Sequence, residues 1–477
     1  MKLNTKKTLN LLFCLAIFAA SLNSCKEKAN EEKVPEIDTF AAADKIIREI
    51  KKLEFPEKTL NIIDFGAIAD GKTLNTQAIK KAIDSCNISG GGKVVIPSGN
   101  FLTGPIVLKS NVNLHLEEGA NVLFTTDKSA YLPAVHTSYE AVELMNYSPL
   151  IYAYKQNNIA VTGKGIFNGQ ADRENWWPWC GAKRYGNIEG EPHQRDDHNL
   201  PRLRTMNENA TPVAERTFGE GHQLRPLFFQ PFECDNVLIQ GVTFTNAPFW
   251  VLHPIKCNYV RVDGVTVSSH GPNNDGCDPE YSKYVHITNC TFDTGDDCIA
   301  IKSGRNEEGR RINIPSENIV IENCDMQDGH GGVVMGSEIS AGVRNVYVRN
   351  CKMDSPNLDR AIRIKTNTLR GGFVENVYVK NIKVGQVKEA VLKINTYYGI
   401  YANQEGNFIP SIKNIHLQDI EVENGGKYGI LIKGREENLV KNVTLTNVHI
   451  KGAKTPLSVE NSEPIIFKNT TINGKQY

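Results

Sequence analysis

The 477-residue chain has no excess of charge of either sign: 54 lysines and arginines stand against 54 aspartates and glutamates. No overall basic field exists to hold nucleic acid, and no stretch resembles a polybasic arm. Any bound anion must therefore be met by local Arg and Lys residues. The chain also lacks a CxxC pair, an HExxH and any histidine cluster with ligand spacing. Neither a metal nor a cofactor is expected. The GGGK at 90–93 lacks the flanking spacing and the Ser or Thr of a phosphate loop, and reads as a turn before a strand. Cysteines number 11, but Cys14 leaves with an N-terminal signal and Cys25 has a separate fate. The odd number that remains excludes a complete disulfide framework. Helical periodicity is scarce, and 39 glycines with short apolar runs favour turns and strands.

At the N-terminus, Lys2, Lys6 and Lys7 precede an apolar run from Leu9 to Ala20. Residues 1–24 read as an export signal rather than a structural helix. The ending Leu22-Asn23-Ser24-Cys25 resembles the lipobox of bacterial lipoproteins. That resemblance implies that Cys25 becomes the first mature residue and carries acyl chains, several of which give stable attachment. An ordinary cleaved signal beside a chance cysteine is the alternative. The expected location is the bacterial cell envelope, periplasmic or surface-facing, with the lipid anchor as the membrane contact. Residues 25–55 form a charged tether and a short surface helix from Phe40 to Leu53.

From residue 56 to 477 one phrase recurs. It appears as NVLIQGVTFTN at 236, YVRVDGVTVSSH at 259, YVHITNCTFDTG at 284 and NIVIENCDMQDG at 318. It continues at 345, 376, 414 and 442, with an earlier copy at 158. Each phrase alternates apolar and polar residues on both sides of a polar turn, the period of half-buried strands. The phrases repeat in one sense without hairpin signals, which predicts an all-β, single-stranded, right-handed parallel β-helix. Cys290, Cys324 and Cys351 hold one place in successive phrases. They read as a ladder of buried thiols about 4.8 Å apart, with a disulfide between neighbours geometrically possible. The Asn at the mid-phrase turn reads as a second ladder. Residues 76–88 place Ile79, Ala82 and Ile83 on one helical face, which would cap the open end of the coil.

Two regions depart from the repeat. Residues 170–225 form an irregular insertion holding Trp176, Trp177 and Trp179, and such insertions are usually functional or disordered. These rings read as a wall for sugar, with a hydrophobic plug under a long loop as the alternative. The run Gly271–Gly304 brings together Asp275, Asp296 and Asp297, followed by His330 in DGHGG and by Arg363 and Lys365 in AIRIKT. Two carboxyls flanking a glycosidic bond can give and take the protons its hydrolysis requires. Crowded carboxyls cannot all ionise, and repulsion keeps one protonated, as a general acid needs. In an inverting enzyme the carboxyls usually stand roughly 6.5–9.5 Å apart to admit a water. Arg363 and Lys365 flank Ile364 on a strand and so face one side. Acids with a basic pair suit an acidic sugar polymer.

NNDG at 273–276, GDD at 295–297, GHG at 329–331 and RIK at 363–365 occur in this order. Together they resemble the polygalacturonase family, family 28 of the glycoside hydrolases, from about Leu60 onwards. The resemblance implies hydrolysis of pectin with inversion and without metal. By the same carry-over Asp296 is the general acid, Asp275 and Asp297 activate water, and His330 tunes the acid. Arg363 and Lys365 would grip the galacturonate carboxylate, Asn273 would contact substrate, and Tyr397 or Tyr398 would place a ring against the sugar. Asn274 stands where the family commonly has Thr. The implied partner is a pectic polysaccharide or oligogalacturonide, bound by a monomer. The insertion favours exo action by walling off one end of the groove. A rhamnogalacturonan hydrolase of the same family, a calcium-dependent pectate lyase and a non-catalytic glycan-binding β-helix are the rival readings.

Overall fold

Each rung phrase folds as two short strands with a bend between them, followed by a loop and a third strand. In one coil these are Lys283–Thr288, Thr291–Thr294 and Ile299–Ile301. The computed structural model describes residues 40–399 and 406–477; the signal segment, Cys25 and the tether up to residue 39 lie outside the described residues. Successive coils stack in parallel at fixed register. Val260, Val285, Ile319, Val346, Val377, Ile415 and Val443 are direct partners along one column. Alternation buries this column in a continuous core while its sequence neighbours face outward. The result is the right-handed parallel β-helix expected from the repeat.

The bend within each rung needs a backbone in the left-handed region, which Asn tolerates better than other side chains. Asn289, Asn323, Asn350, Asn381 and Asn447 all have φ between 53° and 56° there. Their amides stack as expected, with Asn381 donating to Asn350 at 2.7 Å and Asn469 to Asn447 at 2.8 Å. A second asparagine ladder, at the rung starts, was not anticipated. Asn345 donates to Asn318 at 3.0 Å, Asn376 to Asn345 at 3.1 Å, and Asn414 to Asn376 at 2.9 Å. The nine cysteines among the described residues are all free and buried, so the thiol ladder stands without disulfides.

Two helices flank the coil. Helix α1 (Phe40–Glu49) lays Phe40, Ala43 and Ile46 against Val320 and Tyr347 on the side of the solenoid. Helix α2 (Thr76–Ile88) buries Ile79, Ala82 and Ile83 against the first strands, as a cap requires. The insertion holds a third helix, α3 (Leu200–Glu208), and short single turns. It packs against an antiparallel hairpin, Val135–Tyr139 with Val142–Asn146, which the repeat pattern did not reveal. Leu200, Leu203, Phe218 and Leu224 from the insertion share a second core with Tyr139, Leu144, Phe249 and Trp250.

Candidate active site

The third strands set the site, because the loops leading into them stack in the same order. Phe229, Leu252, Cys277, Ile299, Val333 and Ile362 are successive partners in that layer. Counting back two residues puts Asp275, Asp297, Gly331 and Arg360 in one column. Counting back three puts Asp296 and His330 in the next. The backbone confirms the stacking: Gly276 N–H donates to Asp297 O at 2.9 Å, Cys298 N–H to Gly331 O at 2.8 Å, and His330 N–H to Asp296 O at 2.9 Å. Residues far apart in sequence are thus neighbours about one strand spacing apart.

The three acids converge. Carboxylate oxygens of Asp275, Asp296 and Asp297 lie within 4.8 Å of one another. This is tighter than the separation usual for inverting glycosidases, so the carboxyl spacing expected from the sequence is not found. Exposure separates their roles: the side chain of Asp296 is 21% accessible, whereas those of Asp275 and Asp297 are 4% and 0%.

Each acid has its own cationic partner. His330 Nδ1 lies 2.9 Å from Asp296 Oδ1. Lys302 Nζ donates to Asp275 Oδ2 at 3.3 Å. Lys365 Nζ donates to Asp297 Oδ2 at 2.6 Å, and Arg363 Nη1 to Asp297 Oδ1 at 3.4 Å. Arg363 reaches back across two coils, past Gly331. A Cβ there would sit 2.5 Å from Val334 Cγ2 and 3.7 Å from Arg363 Cδ. Ile364 points into the core as expected, but Arg363 and Lys365 are themselves buried and hold an enzyme carboxylate.

The protonation pattern differs from simple repulsion. Burial first, and then the charge of Asp296, pushes Asp275 up to about 7. Burial would also raise Asp296, but the hydrogen bond and charge of His330 outweigh it and hold Asp296 well below the usual carboxylate range. His330 is raised in return, chiefly by its hydrogen bond to Asp296. Burial and repulsion therefore delay the ionisation of Asp275 to about pH 7, and the proton near Asp296 rests on His330.

The remaining expected residues divide. Asn273 accepts from buried Arg225 at 2.8 Å. Asn274 is buried and ties down the loop that carries Asp275, accepting from Ser269 Oγ at 2.6 Å and Gly271 N–H at 2.7 Å. Tyr398 lies beneath the basic pair, its ring 5.2 Å from the Arg363 guanidinium and 5.1 Å from Lys365 Nζ. Tyr397 instead faces Arg435 at 4.0 Å, and its ring is not the one beside the basic pair. Trp176 is also corrected: it is 1% exposed and packs edge-on against Tyr131 at 5.5 Å, so it belongs to the plug and not to a sugar wall. Trp177 is partly buried. It donates its indole N–H to Ala247 O at 2.9 Å and presses on the Gly271 backbone, where a Cβ would lie 2.3 Å from its Nε1.

Sequence reasoning missed Lys302, Arg225 and Tyr185. Lys302 carries a visible signal, a cation ending the apolar strand IAIK. Tyr185 packs edge-on to Trp177 at 6.3 Å, and Trp177 in turn lies on the Gly271 backbone at the start of the loop that carries Asp275, which places the insertion beside the acids. The insertion leaves the coil just before Phe229–Phe232, the loop position that, two coils later, carries Asp275. It therefore rises from the face that bears the acids.

The model of glycosyl hydrolases family 28 matches residues 213–471, and that of rhamnogalacturonase A/epimerase, pectate lyase-like, matches 59–123. An exopolygalacturonase structure from Thermotoga maritima is 42% identical, with TM-score 0.88, over 92% of this chain and 97% of that one. A family 28 exopolygalacturonase structure from Yersinia enterocolitica is 25% identical, with TM-score 0.62, over 87% of this chain and 78% of that one. An exo-poly-alpha-D-galacturonosidase of Dickeya chrysanthemi is 28% identical over 446 residues, 87% of this chain and 71% of that protein.

Proposed function

With the chain belonging to glycosyl hydrolases family 28, we propose that it releases galacturonate units from the ends of pectic chains by inverting hydrolysis. It is a glycoside hydrolase of the polygalacturonase kind. One observation carries the mechanism: three acids meet in the loop column, and only the one paired with His330 opens to the cleft. Asp296 delivers the proton it shares with His330 to the departing glycosidic oxygen. Asp275 and Asp297 orient the attacking water and accept its proton. A uronate carboxylate entering beside Tyr398 meets Arg363 and Lys365, which can bind a second carboxylate by fork and point charge.

Exo action rests on the insertion, which is anchored by its own core and reaches the loop of Asp275 through Trp177. Exopolygalacturonase activity of the two similar structures supports this reading. The lipobox-like Leu22–Cys25 supports attachment to the cell envelope, and Cys25→Ala should release the chain from membranes. Digests of polygalacturonate and of rhamnogalacturonan oligosaccharides test the substrate and the mode together. Mono- or disaccharide galacturonate should appear from the first minutes while viscosity falls slowly. Rapid viscosity loss would mean internal cutting, and turnover of rhamnogalacturonan alone would move the substrate to the other backbone. Proton NMR of the first product should show the inverted anomer.

A further inference from the structure

Asp278 is a carboxyl that the mechanism above does not use. It is 0% exposed, and neither of its oxygens finds a hydrogen-bond donor among the described residues. The nearest cation is Lys302, whose Nζ is 3.7 Å from Asp278 Oδ1. That ammonium has three protons; two go to Asp275 Oδ2 and Gly336 O at 3.3 Å each, and Glu338 Oε2, at 3.6 Å, competes with Asp278 for the third. An ionised carboxylate left without donors in a dry site is strongly unfavourable. The carboxyl of Asp275 crowds the same ammonium, its Oδ2 3.3 Å from Lys302 Nζ, and lies in hydrogen-bonding reach of Asp278. Two carboxyls facing each other need a proton between them.

We propose that Asp278 is a positioning residue, held as a neutral carboxylic acid that donates its proton to Asp275 and so keeps Asp275 a carboxylate able to accept a proton from water. This rests on Asp275 acting as a water-activating acid. No proton is consumed, because Asp278 keeps its own through turnover. The charged surroundings agree. Asp278 faces Asp275 from its own segment and Lys302 and Asp297 from the next coil, with Glu338 beyond Lys302; the neighbouring Glu280 is paired instead with His253, one coil earlier, at 2.8 Å. Burial, then the charge of Asp275, raises Asp278 well above the ordinary carboxylate range. A hydrogen bond to the charged form lowers a carboxyl's pKa, so the Asp278 donor offsets part of the burial that lifts Asp275. The same segment, NDGCD, brings both acids from one turn and makes the pair local in sequence.

The test compares pH profiles of kcat/KM for Asp278→Asn, Asp278→Leu and Asp275→Asn. The asparagine amide keeps a donor, so that variant should retain activity within about threefold and leave the acid limb in place. Leucine removes the donor, and the limb should move up by about one pH unit or more. An infrared band of a protonated carboxyl should persist at neutral pH in the wild type and weaken in Asp278→Asn, a readout that needs only folded protein. A limb that moves down in both variants would show that Asp278 is ionised, and an unmoved limb with uniformly lower activity would show a packing role; either overturns the proposal. Full activity in Asp275→Asn would instead overturn the water-activating role of Asp275, separately from the fate of Asp278.

Discussion

Asp296 is the partly exposed member of the three acids, and its Oδ1 is held by His330. Asp296→Asn preserves shape but cannot deliver a proton. It should lower kcat by about 10²–10⁴-fold with the fold intact, as steady-state kinetics and circular dichroism would show. The proton inventory sets the pH profile. Asp275 must be ionised to accept a proton, and its pKa is raised, so activity should fall as pH drops through about 7 and below. His330 must hold the proton passed to Asp296, and its pKa is also raised, so activity should fall only as pH climbs past the ordinary histidine value. A kcat/KM profile whose acid limb lies in the ordinary carboxylate range would contradict this assignment. In the proposed mechanism Arg363 has two partners to serve, Asp297 and a uronate, of which the structure holds the first. Arg363→Ala should cost roughly 2–5 kcal/mol in kcat/KM on polygalacturonate. The loss should be smaller, though still present, on a methyl-esterified substrate, because Asp297 loses a partner in both cases.

Elements explain which parts of the molecule were legible in the sequence. Alternation in NVYVRN or NIVIEN states the strand, its inward face and its bend within a single phrase, so the coil, its capping helix and the thiol ladder could be read directly. The loop column could not be derived that way. No local pattern says that Gly331 stands between Asp297 and Arg363; that follows from the register of the third strands, and only the family resemblance foretold the grouping. The tryptophans failed for a related reason. WWPW gives three aromatic rings, but which of them turns inward depends on Tyr131 and Tyr147, remote in sequence. The asparagine ladders invite a test of their own. Asn345 has φ 56° and bonds to Asn318 and Asn376. Asn345→Gly should lose those bonds, and Asn345→Ala should add backbone strain, for a total of about 1–3 kcal/mol. Urea unfolding should therefore rank asparagine above glycine above alanine.

At the scale of the whole molecule, the acids are saturated by the protein's own cations. A divalent ion would have to displace Lys302, Lys365 and Arg363 from Asp275 and Asp297. Exhaustive dialysis against a strong chelator should therefore leave activity within about twofold. Loss on chelation that calcium restores, with an ultraviolet-absorbing product, would indicate lyase chemistry instead.

The reach of Arg363 over Gly331 turns the catalytic centre into a matter of counting turns. Asp297, the bare glycine and the guanidinium occupy three consecutive coils, and the middle one contributes a gap. Loss or duplication of a whole coil between residues 298 and 360 would keep the hydrogen-bond ladders satisfied and the core continuous. It would nevertheless part Asp297 from Arg363 and Lys365, which meet it only at this count of coils. The solenoid can therefore lengthen or shorten outside these turns without touching its chemistry, but within them its tally is as constrained as the spacing of teeth on a key.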